Sequence, residues 1–238
     1  MLDVHIVPVL TDNYSYILQS GDAIAVVDPG EPGPVEIALA EMKMAPSLIL
    51  NTHHHSDHIA GNRQIKRKYD CTVIGPAADI HRMPDLDKGV KDGDIIPFGD
   101  ERLRVIETPG HTSGHVCFYA EKSHILFTGD TLFSMGCGRL LEGSADEMWT
   151  SLQKIMALPD DTQIYCGHEY TQVNGEFAQS VEKNNLDIRE RLAEAKKLTA
   201  NGRPTLPTTL LQEKKTNVFL RAANTNDFAV LRQLKDKF

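Results

Sequence analysis

The chain has 238 residues, enough for one large domain or for a medium domain plus a small one. Hydrophobic residues make up 41%, which allows a packed core and excludes a disordered chain. The net charge of −8, with no dense Lys/Arg run to offset it, argues against a nucleic-acid partner.

No apolar run approaches the ~18 residues of a membrane span. The opening MLDVHIVPVL lacks a basic segment followed by an apolar one, so no signal peptide and a cytoplasmic location are expected. The four cysteines, Cys71, Cys117, Cys137 and Cys166, form no C-x-x-C pair. They are expected to be reduced and buried rather than bridged, and not to form a zinc site.

In chain order, short apolar runs predict strands at Val4–Leu10, Tyr14–Gln19, Ile24–Asp28 and Leu48–Asn51. Further strands are expected at Cys71–Ile74, Leu103–Glu107, His115–Ala120, Ile125–Thr128 and Gln163–Cys166. Asp28-Pro29-Gly30, Thr108-Pro109-Gly110, Gly129 and Gly167 punctuate them. Helices are expected over Pro34–Lys43, Ile59–Tyr69 and Asp146–Ala157, which together with the strands imply a layered α/β core. From Tyr170 the pattern turns helical and charged, with Leu186–Ala200 the longest stretch, ended by Asn201-Gly202-Arg203-Pro204. Asn217–Ala222 and Asp227–Lys237 read as two short amphipathic pieces. The expected division is residues 1–168 as the α/β domain and 169–238 as a small helical domain.

Chemistry concentrates in Thr52-His53-His54-His55-Ser56-Asp57-His58, directly after the apolar Leu48-Ile49-Leu50. Side chains alternate along an extended loop, so His53 and His55 point the same way and can pinch one metal. Asp57 and His58 come just past the turn, where they can face a second. Other strand ends each offer a further donor beside glycine: His111, Asp130 and His168. An isolated histidine after a strand is more often a surface or hydrogen-bonded residue, so it is the grouping that carries the inference. His115 lies close enough to His111 to support a ligand from outside; His5, His54, His81 and His124 have no pattern.

T-H-x-H-x-D-H, then P-G-H-T, G-D and G-H, in this order and spacing, resembles the metallo-β-lactamase superfamily. Gly136-Cys137-Gly138-Arg139, Gly167-His168-Glu169-Tyr170-Thr171, Asn217-Val218-Phe219-Leu220-Arg221 and Lys235-Asp236-Lys237-Phe238 resemble the glyoxalase II (hydroxyacylglutathione hydrolase) family. The likeness spans essentially the whole chain. It implies an αββα metallo-β-lactamase-like sandwich with a small C-terminal all-α domain. It implies two divalent metal ions, one on His53, His55 and His111, the other on Asp57, His58 and His168, with Asp130 bridging. Imidazole and carboxylate donors without cysteine suit Zn first, with Fe or Mn also compatible.

The resemblance further implies hydrolysis of S-2-hydroxyacylglutathione, typically S-D-lactoylglutathione, to glutathione and D-lactate by a metal-activated water. Asp57 and Asp130 would act with that water. Substrate contacts would come from Arg139, Tyr170, Arg232 and Lys235, the last two three apart and so on one helix face. Some family members carry lysine at the position of Arg139 and tyrosine at that of Leu141, and Ala222–Asp227 is short for the family. A thiolate leaves without a strong acid, and no G-x-S-x-G nucleophile motif is present. The expected partner is a small glutathione thioester, with no membrane or nucleic acid, acting on a monomer. The rival reading is a one-iron persulfide dioxygenase of the same fold.

Overall fold

The computed structural model describes residues 2–238. Its first sheet runs β1 (Asp3–Val9), β2 (Asn13–Ser20), β3 (Ala23–Val27), β4 (Leu48–Leu50), β5 (Thr72–Pro76) and β6 (Lys88–Val90), in that spatial order. The second contains β7 (Ile95–Phe98), β8 (Glu101–Glu107), β9 (Val116–Ala120), β10 (Ile125–Gly129), β13 (Gln163–Cys166) and β14 (Thr208–Thr209), ordered β14-β13-β10-β9-β8-β7. A small hairpin, β11 (Leu132–Phe133) and β12 (Gly136–Cys137), stands apart.

The two sheets pack face to face because their strands are apolar on both sides. Tyr16, Leu18, Val27 and Leu50 meet Val105, Phe118 and Phe127 in the central layer. The alternate residues Ile17, Val26, Ile49 and Val73 face outward onto α1 (Pro32–Met42) and α3 (Asn62–Tyr69), through Val35, Leu39 and Ile65. On the far side, Cys117, Tyr119, Leu126 and Ile164 face α4 (Ala145–Met156), through Met148, Leu152 and Ile155. The result is the expected αββα sandwich. Strands buried on both faces explain the near-continuous apolar runs in the sequence. A capping box between Ser144 and Glu147 starts α4.

The C-terminal part consists of α5 (Thr171–Val181), α6 (Leu186–Ala200), α7 (Leu210–Thr216) and α8 (Thr225–Lys235). It shares the outer apolar cluster of the second sheet: Phe177, Val218, Phe219 and Phe228 pack with Leu132, Met148 and Leu152. The tail also contributes a strand, since β14 pairs antiparallel with β13. Glu213, fully buried, accepts from the Met135 amide at 2.7 Å, the Thr208 hydroxyl at 2.8 Å and the Asn217 amide at 3.0 Å.

Two expectations need correction. Ile59–Tyr69 is not one helix: α2 (Ser56–Ile59) is a single turn carrying Asp57 and His58, and α3 restarts at Asn62. Gly61 breaks the run by packing its amide onto the Pro29 carbonyl, at 2.8 Å. Asn217–Ala222, read as a short amphipathic piece, is a turn. The Asn217 side chain accepts from its own neighbour Phe219 N–H at 3.1 Å and donates to Gly136 O at 2.9 Å, an arrangement that competes with helical hydrogen bonding. All four cysteines are free and buried, and no helix among the described residues is long and apolar enough to cross a membrane.

Because Phe219 fills a core common to both parts of the chain, Phe219→Ala is expected to lower stability by about 3–5 kcal/mol. Urea unfolding followed by tryptophan fluorescence and by far-UV circular dichroism should show one shifted transition in both signals. Two separated transitions would show that the tail unfolds on its own.

Candidate metal centre

The donors come from the carboxyl ends of four strands that open on the same edge of the sandwich. β4 leads into His53, His55, Asp57 and His58; β8 into His111; β10 into Asp130; β13 into His168. The pairing of β10 with β13 slips its register between Phe127 and Gly129, and Gly129 takes φ +45°, which turns Asp130 out of the strand and into the cleft. Gly167 faces the same spot without a side chain. A Cβ there would press into Asp130 Oδ1 and lie 2.7 Å from His58 Cε1.

Four sets of donors have their ligand atoms within 4.8 Å of one another, and two of them match the expected ligands: His53, His55 and His111, and Asp57, His58 and His168; the others are Asp28, His53 and His58, and His54, His55 and Glu142. In the first, His53 Nε2 and His111 Nε2 each lie 3.1 Å from His55 Nδ1. In the second, His58 Nε2 and His168 Nε2 each lie 3.5 Å from Asp57 Oδ2. Asp130 stands between them: Oδ1 is 3.4 Å from His58 Nε2, while Oδ2 is 3.4 Å from His111 Nε2 and 3.3 Å from His168 Nε2. His58 Nε2 and Asp130 Oδ1 are buried with no hydrogen-bond partner. An unpaired buried polar atom is costly, and one facing a convergence of donor atoms fits a bound cation.

Outer contacts fix which nitrogen faces inward. His111 Nδ1–H donates to Arg139 O at 2.9 Å, His58 Nδ1–H to Asp28 Oδ2 at 3.1 Å, and His168 Nδ1–H to Asp12 Oδ1 at 3.0 Å. Each bond turns Nε2 toward the site, where in the neutral ring its lone pair is free for a cation. Asp28, buried after β3, also accepts the Thr52 N–H at 2.8 Å and its hydroxyl at 2.6 Å, so it holds both ends of the histidine loop. His115, beside His111 in sequence, stacks on His53 with centroids 4.9 Å apart and accepts the Asp130 N–H at 3.1 Å. Asn13 donates to Asp57 Oδ2 at 2.8 Å. His54 turns away from the donors to Asp79, at 3.1 Å.

Burial, together with neighbouring imidazoles, pushes His53 well below the ordinary histidine value and also lowers His55. Burial lowers His111 too, against the opposing pull of Asp130. The first group therefore presents neutral imidazoles, the form that binds metal. In the second group burial works the other way from charge: it disfavours protonated His58 and His168, but Asp130 and the other carboxylates outweigh it and raise both. Burial alone would raise Asp130, yet His58 and His168 hold it low. The second group thus has protons on His58 and His168 balancing half-buried Asp57 and buried Asp130, and a divalent cation can replace them.

A pocket of about 420 Å³ opens beside the donors and is lined by His111, Asp130, Arg139, Tyr170, Arg232 and Lys235, among others. All four residues expected to touch substrate therefore share one wall with two of the expected ligands. They are not equivalent. Arg139 is exposed. Tyr170 stacks on His168 with centroids 4.7 Å apart, and burial raises its hydroxyl to about 12, so it stays a donor. Lys235 is half-buried over the Phe177 and Phe238 rings. Arg232 is buried and already donates to Cys137 O at 2.8 Å and pairs with Asp236 at 3.0 Å, so it braces the pocket wall as well as lining it.

The sequence reading missed Asp12, Asn13 and Asp28. Asp28 had a signal, an acidic residue ending an apolar strand before Pro-Gly. Asp12 and Asn13 sit in a hairpin turn, where those residue types are ordinary.

Comparison with known proteins agrees with this geometry. Residues 9–168 match the metallo-beta-lactamase superfamily, and residues 169–238 match the family described as hydroxyacylglutathione hydrolase C-terminus. A hydroxyacylglutathione hydrolase of Rhodospirillum rubrum is 49% identical over 93% of this chain and 87% of its own. One from Pelagibacter ubique is 41% identical over 100% of both. Among solved structures, ETHE1 from Myxococcus xanthus superposes with a TM-score of 0.71 at 22% identity, covering 98% of this chain and 90% of its own, a likeness of fold. Sheet order, donor positions and full-length identity converge: this chain belongs to the hydroxyacylglutathione hydrolase family of the metallo-β-lactamase superfamily.

Proposed function

We propose that this chain is a binuclear thioesterase that hydrolyses S-2-hydroxyacylglutathione, typically S-D-lactoylglutathione, to glutathione and a 2-hydroxy acid. The observation that carries the reading is the pair of donor groups sharing Asp130, with His58 Nε2 and Asp130 Oδ1 buried and unpartnered, at the wall of a cationic pocket. His53, His55 and His111 would hold one divalent ion, Asp57, His58 and His168 the other, and Asp130 both. Zn suits this donor set, with Fe and Mn as alternatives. Residues 1–168 would supply the metals' ligands and half of the pocket wall, and 169–238 the other half, with Tyr170, Arg232 and Lys235.

When bound, a pair of divalent ions polarises a carbonyl oxygen and makes water nucleophilic near neutral pH. The chain's own residues do the rest. Asp57 would orient the attacking water as well as serve as a ligand. Arg139 and Lys235 line the pocket and would pair with the carboxylates of glutathione, and Tyr170 would offer a hydroxyl donor beside His168. The leaving group is a thiolate of pKa about 8.5, so it departs without a dedicated acid. Both donor groups and the pocket come from one chain, which suits a monomer, and four free cysteines suit the cytoplasm. Persulfide oxidation at a single iron would leave the complete second group without a role, and the relatives' names weigh against it.

The direct test is hydrolysis of a lactoyl thioester followed at the released thiol. Activity should vanish with chelator and return with Zn²⁺; a fully metallated sample that does not turn over would exclude the reaction. His168→Ala is expected to lose one of two metal equivalents by elemental analysis and to lower kcat by about 100-fold or more. Burial, then the nearby Arg232 charge, lowers Lys235 to about 8. Its cation is present below that pH and lost above it, so KM for a glutathione thioester should rise as pH passes 8 in the native enzyme. In Lys235→Gln that rise should be absent and KM high throughout; an unchanged profile would remove Lys235 from substrate binding.

A further inference from the structure

The turn between β1 and β2 contacts the second donor group at several points, and nothing in the reaction as described requires it. Its backbone is stitched across the gap between the two sheets: Tyr14 N–H donates to Gly167 O at 2.8 Å and Glu169 N–H to Asp12 O at 2.8 Å, with Asn13 and His168 facing each other as an isolated bridge. Its side chains reach the donors themselves. Asp12 Oδ1 accepts from His168 Nδ1–H at 3.0 Å. Asn13, only 6% exposed, puts Nδ2 2.8 Å from Asp57 Oδ2, 3.4 Å from Asp57 O and 3.5 Å from His168 Nε2.

Asp57 and His168 come from loops of different sheets and would bind a cation only if held together beforehand. Among the described residues no side chain bridges the loops of the first group in this way: His53, contacted by the Thr52 hydroxyl at 3.0 Å, and His55 are two residues apart on one loop, and His111 is fixed by Arg139 O. Among the described residues, the amide of Asn13 is the neutral side chain that touches both a carboxylate oxygen and an inward-facing nitrogen of the second group. It balances part of the negative charge on Asp57 without occupying the lone-pair side of His58, whose Nε2 stays unpartnered. We propose that Asn13, with Asp12, is a positioning residue that assembles the second cation site selectively, so that the Thr11–Asn13 turn sets the affinity for one of the two metals. The proposal rests on the two-metal reading above.

Supporting contacts of this kind typically change metal affinity by about 10–100-fold when removed. The test is stepwise Zn²⁺ titration of the metal-stripped full-length protein by calorimetry, with elemental analysis of the loaded forms. Asn13→Ala should bind its first equivalent as the native protein does and its second about 10–100-fold more weakly, with Asp12→Ala weaker in the same step. His168→Ala identifies that step, because it removes a donor of the second group outright. Thr11→Ala, exposed in the same turn, should change neither step. In turnover assays Asn13→Ala should recover kcat as Zn²⁺ is raised, with KM for the thioester unchanged.

A native-like first step also shows that the variant has folded. A second step of native affinity in Asn13→Ala overturns the proposal while leaving the two-metal reading intact. Equal weakening of both steps also overturns it, since the turn would then support the fold rather than one site. A native protein that takes up only one equivalent removes the two-metal reading, and this proposal with it.

Discussion

The carboxylate of Asp130 is the point on which the site depends. It is buried, it faces three imidazoles at 3.3–3.4 Å, and one of its oxygens has no hydrogen-bond partner. A carboxylate in such a place must be neutralised by protons on its neighbours or by a cation among them. Every nearby feature serves that requirement. The register slip in β10 aims Asp130 inward, Gly167 leaves room for it, and the His115 ring accepts its amide. Without that carboxylate the two donor groups would be neighbouring clusters rather than one centre.

A second tier of contacts explains how loops from separate strands acquire a common geometry. Asp28 bonds Thr52 and His58 at once, so the two ends of the histidine loop are measured from a single side chain at the end of β3. Arg139 O and Asp12 do the same for His111 and His168. Each of these bonds selects the ring nitrogen that stays free, and each comes from an element other than the one that carries the histidine. Precision at the centre is therefore a property of the sandwich edge as a whole, and the histidine loop alone would not supply it.

The centre was largely legible in the sequence because its donors are rare residue types at strand ends, and their spacing on the loop after β4 follows from alternation. The central strands were legible for a similar reason: strands buried on both faces cannot afford polar residues. What was not legible depended on partners distant in sequence. The short strands β6, β7 and β14 have too few residues to show a period and exist only by pairing with a neighbour. The turn at Asn217 is set by carbonyls of Phe133 and Gly136, more than eighty residues upstream. Asp12 and Asn13 are indistinguishable from ordinary turn residues until the start of β2 is seen to meet Gly167 and His168, just past β13.

The acidic balance of the chain and its proposed anionic substrate are compatible for a reason of distance. At physiological ionic strength charges are screened over about 8 Å, so most of the net −8 does not reach into a recessed pocket. What a ligand meets there is local: Arg139 at the rim, Lys235 half-buried, and Arg232 partly balanced by Asp236. Low-dielectric walls strengthen those few charges relative to surface ones. The bracing of Arg232 onto Cys137 O ties this cationic wall to the segment whose next residue but one, Arg139, anchors His111 through its carbonyl. Pocket wall and donor histidine are thereby joined through three residues of backbone, so a displacement of α8 would be felt at the first donor group as well as in the pocket.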